Sequence, residues 1–186
     1  MNLFARAENF ISRKSDSNIL IIISGIIYFI SQFIIGSIVH PLGMDNFLAL
    51  QTTLSSDKFK EIASGWIASG QIGLYYKHFT FDNLHPIFYS IFLSLLIART
   101  FKINSVSPKF NFFILTPFIA GICDLFENTM HLYFLGDLER ATPALVALSG
   151  TVTDTKWCLA FAGVGVVSIL VVVWIVKTFI LKEKVK

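Results

Sequence analysis

The run from Phe110 to Leu135 is apolar and long enough to cross a bilayer, yet it carries Asp124, Glu127, Asn128 and His131. A crossing helix needs roughly 20 apolar residues. A carboxylate near its middle costs about 2.5–3.5 kcal/mol on insertion scales, and this run holds two. The four polar residues fall at i, i+3, i+4 and i+7, so on a helix they share one face. Residues of this kind face a bundle interior or a wet cavity, and by default they mark function.

Composition places the rest of the chain in the same environment. Hydrophobic residues make up 54% of the 186 residues and charged ones only 15%, with a mean hydropathy of +0.68. That profile excludes an ordinary soluble domain and predicts an integral membrane protein. The formal charge of +3 is small, and the basic residues gather at segment ends. They read as topology signals, and no nucleic-acid partner is expected. Cys123 and Cys158 both lie in apolar runs and are expected as small buried hydrophobes with no disulfide. Arg13-Lys14 precede an apolar run, Asn18 to Val39, that is too long for a signal peptide and lacks a small-x-small cleavage site. It is expected as an uncleaved first span.

Four spans are expected in an all-α bundle, at about 19–39, 82–98, 110–135 and 155–180, with residues 1–186 forming a single membrane domain. Residues 1–17 mix apolar and charged positions and fit a short interfacial helix or a loose tail. Ser24, Tyr28, Gln32 and Gly36 recur every four residues on the first span, the small and polar stripe of a packed interface. Residues 44–81 are too polar to span and too apolar for a plain loop. Ser55-Ser56-Asp57 caps a helix from near Lys58, and Gly65, Gly70 and Gly73 interrupt it. One or two short interfacial helices over one mouth of the bundle are expected there. Trp66, Tyr75 and Tyr76 suit the membrane–water boundary. Asp82 opens the second span, with His85, Pro86 and Tyr89 on the same side. Gly136–Gly150 is a polar link, and Thr151, Thr155 and Lys156 lie in the first turns of the fourth helix.

Lys and Arg counts give the orientation. With the N-terminus inside, one side holds Arg6, Arg13, Lys14, Arg99, Lys102, Lys109, Lys177, Lys182, Lys184 and Lys186. The other holds Lys58, Lys60, Lys77, Arg140 and Lys156. The asymmetry predicts an inner or plasma membrane protein with both termini cytoplasmic.

This topology brings Asp82, His85, Asp124, Glu127, Asn128, His131, Thr155 and Lys156 to the outer half of one bundle. Four readings are open. The cluster is polar glue, with Lys156 paired to Asp124 or Glu127 and Asn128 bonding across helices. It is a metal site made from His85, His131, Asp82, Asp124 and Glu127, although the two Glu-x-x-His pairs of di-iron bundles are missing. It is a pocket for a lipid or small ligand, lined in part by the 19 Phe residues. Or it relays protons or ions, as carboxylate–His chains do. No G-x-S-x-G, P-loop or dinucleotide fingerprint occurs, and no cofactor follows from the sequence.

The blocks Asp82-x-x-x-Pro86-x-x-Tyr89, Asp124-x-x-Glu127-Asn128 and Thr153-x-x-Lys156-Trp157 resemble those of an uncharacterised group of small bacterial four-span membrane proteins. The resemblance covers residues 60–175. It implies that Asp82, Asp124, Glu127, Asn128 and Lys156 belong to one shared site, and it implies no reaction. In outline the architecture is also similar to the emopamil-binding sterol isomerase superfamily, whose specific His and Glu pattern is not matched here.

The leading expectation is a small-ligand or lipid-binding site with acid–base groups. Asp124 and Glu127 would be those groups, Asp82 a further candidate, Lys156 the counter-charge and Asn128 the orienting partner. His131, His85, Tyr89, Thr155 and Trp157 would line the ligand. The alternative is a membrane assembly subunit whose cluster only holds helices together.

Overall fold

The computed structural model describes residues 3–180, and Lys182, Lys184 and Lys186 of the charge count lie outside them. Eight α-helices make up the described chain: α1 (Leu3–Lys14), α2 (Asn18–Val39), α3 (Met44–Thr52), α4 (Ser56–Ala68), α5 (Ile72–Asp82), α6 (His85–Ile103), α7 (Thr116–Leu135) and α8 (Pro143–Ile175). Four stretches are long and apolar enough to cross a membrane: Asn18–Leu42, His85–Ile103, Pro108–Leu135 and Pro143–Phe179. The protein is an all-α, four-span helical bundle with short helices between its first and second spans.

Local chemistry sets the helix ends. The Ser17 and Ser55 side chains accept from Leu20 N and Lys58 N and cap α2 and α4. Pro86, Pro117 and Pro143 sit in the first turns of α6, α7 and α8, where a missing N–H costs nothing. Gly70, at φ +73°, provides the left-handed residue that turns the chain from α4 towards α5.

The segment between spans 1 and 2 holds three helices, one more than the upper expectation. α3 packs on α8, α4 on α8, and α5 on α2, α6 and α7, so together they cap one end of the bundle. Trp66 and Tyr75 are buried in this cap and not at a boundary; only Tyr76 is exposed. The Trp66 indole N–H donates to Leu42 O at 3.2 Å, and Phe47, Phe59, Phe79 and Phe134 complete an aromatic core. At the opposite end α1 packs against α6 and the 3-10 turn Pro108–Leu115. There Lys102 reaches Asp16 at 2.8 Å.

Two boundaries and one buried face differ from the sequence reading. The second span starts at His85, because a turn at Asn83-Leu84 leaves Asp82 as the last residue of α5. The fourth helix starts at Pro143 and not near Thr151, so most of the expected polar link is helical. The buried line of α2 runs through Ser24, Ser31, Ile35 and Val39, while Tyr28 is half-buried and Gln32 exposed. The rotation follows from Gly25: a Cβ there would lie 2.9 Å from the Phe92 ring, so α2 and α6 close on Gly25.

α8 is 33 residues long, about 50 Å at roughly 1.5 Å per residue. That exceeds the ~30 Å hydrocarbon core of a bilayer. Its first turns belong to the cap, where Gly150 passes so close to the α3–α4 link that a Cβ would lie 2.5 Å from Thr53 O.

Candidate functional site

The polar face of α7 is buried along its whole length. Asp124, Glu127, Asn128 and His131 are each at most 5% exposed. Gly121 lets α7 approach α6, since a Cβ there would lie 2.9 Å from Ser90 Oγ; Ser90 in turn donates to Pro117 O at 2.7 Å. Lys156, on α8, sends its ammonium between two carboxylates. Its Nζ stands 2.5 Å from Glu127 Oε2 and 3.0 Å from Asp124 Oδ1. Thr153, one turn earlier, donates to the same Glu127 oxygen at 2.8 Å. Asn128 Nδ2 donates to Asn83 Oδ1 at 3.2 Å, tying α7 to the α5–α6 turn.

A second chain of polar groups runs from α5. His78 Nε2 lies 3.3 Å from Asp82 Oδ2, and His78 Nδ1 bonds to Tyr75 O at 3.0 Å. Both neighbours of this ring are acceptors. Burial alone would raise the pKa of Asp82. The bond and charge of His78, the Asn128 amide and the Lys156 ammonium together bring it below its ordinary value. The Tyr75 hydroxyl and His131 Nδ1 share a 2.7 Å hydrogen bond. Burial, then the negative charges of Glu127 and Asp82, raise the Tyr75 phenol well above its usual range, so it remains a hydroxyl.

Beside these groups lies a pocket of about 190 Å³. Its inner wall carries Asp82, His85, Asp124 and Lys156, with Gln51 of α3 above and Tyr89 of α6 below. Its outer wall is apolar: Leu93 of α6, then Ala160, Phe161 and Val164 of α8, facing Tyr28, Gln32 and Ile35 of α2. α2 is held by α5 and α6, and α8 by α6, α7, α3 and α4. The pocket therefore lies in the gap between α2 and α8, and its rim residues Gln32, Phe161 and Val164 are exposed. Three of its polar atoms, the acceptor Gln51 Oε1 and the donors Tyr89 Oη and Trp157 Nε1, are buried without a hydrogen-bond partner.

His85 also faces this space. Ser31 Oγ lies 2.7 Å from His85 Nδ1 and donates to Tyr28 O at 2.9 Å. The Ser31 proton serves one of the two contacts: given to Tyr28 O, it leaves Nδ1–H as the donor to Ser31 and the lone pair on Nε2, and given to Nδ1, it leaves Nε2–H.

The structure thus brings Asp82, His85, Tyr89, Asp124, Lys156 and Trp157 to one pocket. Glu127, Asn128 and His131 are not in its lining; they sit behind it and hold its walls. Thr155 belongs to neither group, because Lys156 and Thr153 turn inward and leave Thr155 exposed, its hydroxyl donating to Thr151 O within its own helix. Among the described residues no three His, Cys, Asp or Glu side chains come together as a metal-ligand set. His85 and His131 each commit one ring nitrogen to a hydroxyl. Cys123 and Cys158 are free, half-buried and exposed respectively.

Several members escaped the sequence reading. His78-x-x-x-Asp82 is an i, i+4 pair and was there to be found once residues 72–82 were taken as helix. Ser31, Gln51, Asn83 and the Tyr75 hydroxyl carry no local signal, because each meets its neighbours only through the tertiary fold.

Fold and site together define a four-span helical membrane protein with a buried ionic centre. No family model, no curated protein and no solved structure matches the chain.

Proposed function

We propose that this protein binds a lipid-like ligand in the gap between α2 and α8, with its polar end against Asp124, Asp82, His85 and Lys156. The observation that carries this reading is the polarity gradient of the pocket. Charged groups close its inner end, and Leu93, Ala160, Phe161 and Val164 line the end that leads to the lipid-facing surface. Asp124 and Asp82 are the carboxylates in reach of a bound molecule, and Asp124 is the first candidate for acid–base work, with His85 beside it in the wall. Glu127 acts indirectly, by fixing the Lys156 ammonium. The likeness to small bacterial four-span proteins belongs to the same proposal, since the five residues it groups surround this centre. So does the orientation, with the cluster in the outer half of an inner or plasma membrane and both termini cytoplasmic.

The test is lipid analysis of protein purified in mild detergent, wild type against Ala160→Trp, which fills the outer wall. Wild type should retain a lipid-like molecule near one per chain, and the variant should lose it. Equal retention by both would overturn the reading.

One observation favours the structural alternative. The Lys156 ammonium already meets two carboxylates of the protein itself, an arrangement that locks α7 to α8 with or without a ligand.

A further inference from the structure

We infer that the polar head of the ligand is a single ammonium group, primary or methylated, on an apolar chain. The inference rests on the binding role proposed above and names the chemistry of the head.

Charge is the first argument. Around the pocket stand three carboxylates, Asp82, Asp124 and Glu127, all at least nine-tenths buried. Asp82 lies 3.3 Å from the His78 ring. Lys156 supplies one positive charge to the other two. Carboxylates thus outnumber ammonium groups around the pocket, and a buried charge without a counter-charge is costly. A monocation in the pocket offsets that excess.

Hydrogen-bonding capacity is the second, and it is independent of charge. Gln51 is 4% exposed, lines the pocket, and has its side-chain oxygen without a donor. His85 Nε2 adds an acceptor in the tautomer whose Nδ1–H donates to Ser31. Two of the three Lys156 donors are directed to Glu127 and Asp124, and the wall's own unpartnered donors are Tyr89 Oη and Trp157 Nε1. None of them reaches Gln51 Oε1, and a primary ammonium head supplies that oxygen with a donor. The rings of Tyr89 and Trp157 border the same space, which suits a methylated ammonium as well.

Size is the third. A cavity of about 190 Å³ is smaller than the roughly 300–1,000 Å³ of sites that enclose a whole drug-sized ligand. It takes the head and first carbons, while the rest of the chain leaves between α2 and α8 along Phe161 and Val164.

The experiment compares four probes of equal chain length on the purified full-length protein in nanodiscs: dodecylamine, dodecyltrimethylammonium, dodecanol and dodecanoate. Binding is measured by calorimetry and by the shift in unfolding temperature. At least one of the two ammonium probes should bind tenfold or more tighter than dodecanol, and dodecanoate should be weakest. Asp124→Asn should erase the preference for ammonium over alcohol. Should that variant fail to fold, Gln51→Leu gives a second reading, with a loss of at least threefold for the primary amine. Equal binding of dodecanol would overturn the ammonium head while leaving the lipid-like pocket intact. Preference for dodecanoate would overturn it too, and would make Lys156 the reader of the head. Failure of all four probes, together with unaltered lipid retention in Ala160→Trp, would overturn both.

Discussion

Lys156 Nζ stands 2.5 Å from Glu127 Oε2, with Lys156 5% and Glu127 0% exposed. The contact joins the longest helix of the bundle to the one that carries Asp124, Glu127, Asn128 and His131. Removing the ammonium as Lys156→Met leaves two carboxylates buried without a counter-charge and should cost about 3–5 kcal/mol. Because Lys156 also holds Asp124 at 3.0 Å, the double change with Glu127→Gln should recover only part of the loss. Adding Asp124→Asn should recover most of it. Unfolding temperatures of the four proteins in detergent check the order, and an unchanged Lys156→Met protein would refute it.

Gly150 gives a prediction free of electrostatics. A Cβ at this position would meet Thr53 O at 2.5 Å and Leu54 Cδ2 at 2.9 Å. Since Thr53 O is backbone, the link between α3 and α4 must move. Gly150→Ala should destabilise the protein by about 1–3 kcal/mol, read as a lower unfolding temperature. Gly165, with nothing near its Cβ position, should accept Ala without loss.

Acid should act through Asp82. Its pKa in the folded protein lies below its ordinary value of 3.8. Its contribution is therefore fully present above the unfolded value, about 3.9, and is lost as pH falls through the lower folded value. Wild type should be more stable than Asp82→Asn at pH 6, and the gap should shrink below about pH 4. A gap that is constant from pH 6 to pH 3 would show that Asp82 contributes through shape alone.

Topology is open to a direct check. A reporter fused after Lys186 should read as cytoplasmic, as the Lys and Arg asymmetry requires. An external signal would invert the side assigned to the cap and pocket, while leaving their geometry unchanged.

The α7 face was legible because four polar residues at helical spacing in an apolar run admit one arrangement. Asp124, Glu127, Asn128 and His131 announce themselves by cost. Asp82 was placed on the right side of the bundle but on the wrong helix. The break at Asn83-Leu84 has no proline or glycine to mark it, and Pro86 fits a first turn wherever that turn begins. The cap was harder still. Trp66 and Tyr75 have the composition of boundary residues, and only the packing of α3, α4 and α5 over α7 and α8 makes them core. Gln51 and Ser31 were invisible for a related reason: a single Gln or Ser carries meaning only through what lies opposite it.

α8 passes from the cap into the bilayer-crossing region without a break, from Pro143 to Ile175. Its upper turns are gripped by α3 and α4, and its middle turns carry Lys156, Trp157, Ala160 and Phe161 along the pocket. An unbroken rod transmits rotation along its axis. The cap contact at Gly150 and the pocket wall at Lys156 and Phe161 are therefore parts of one continuous helix.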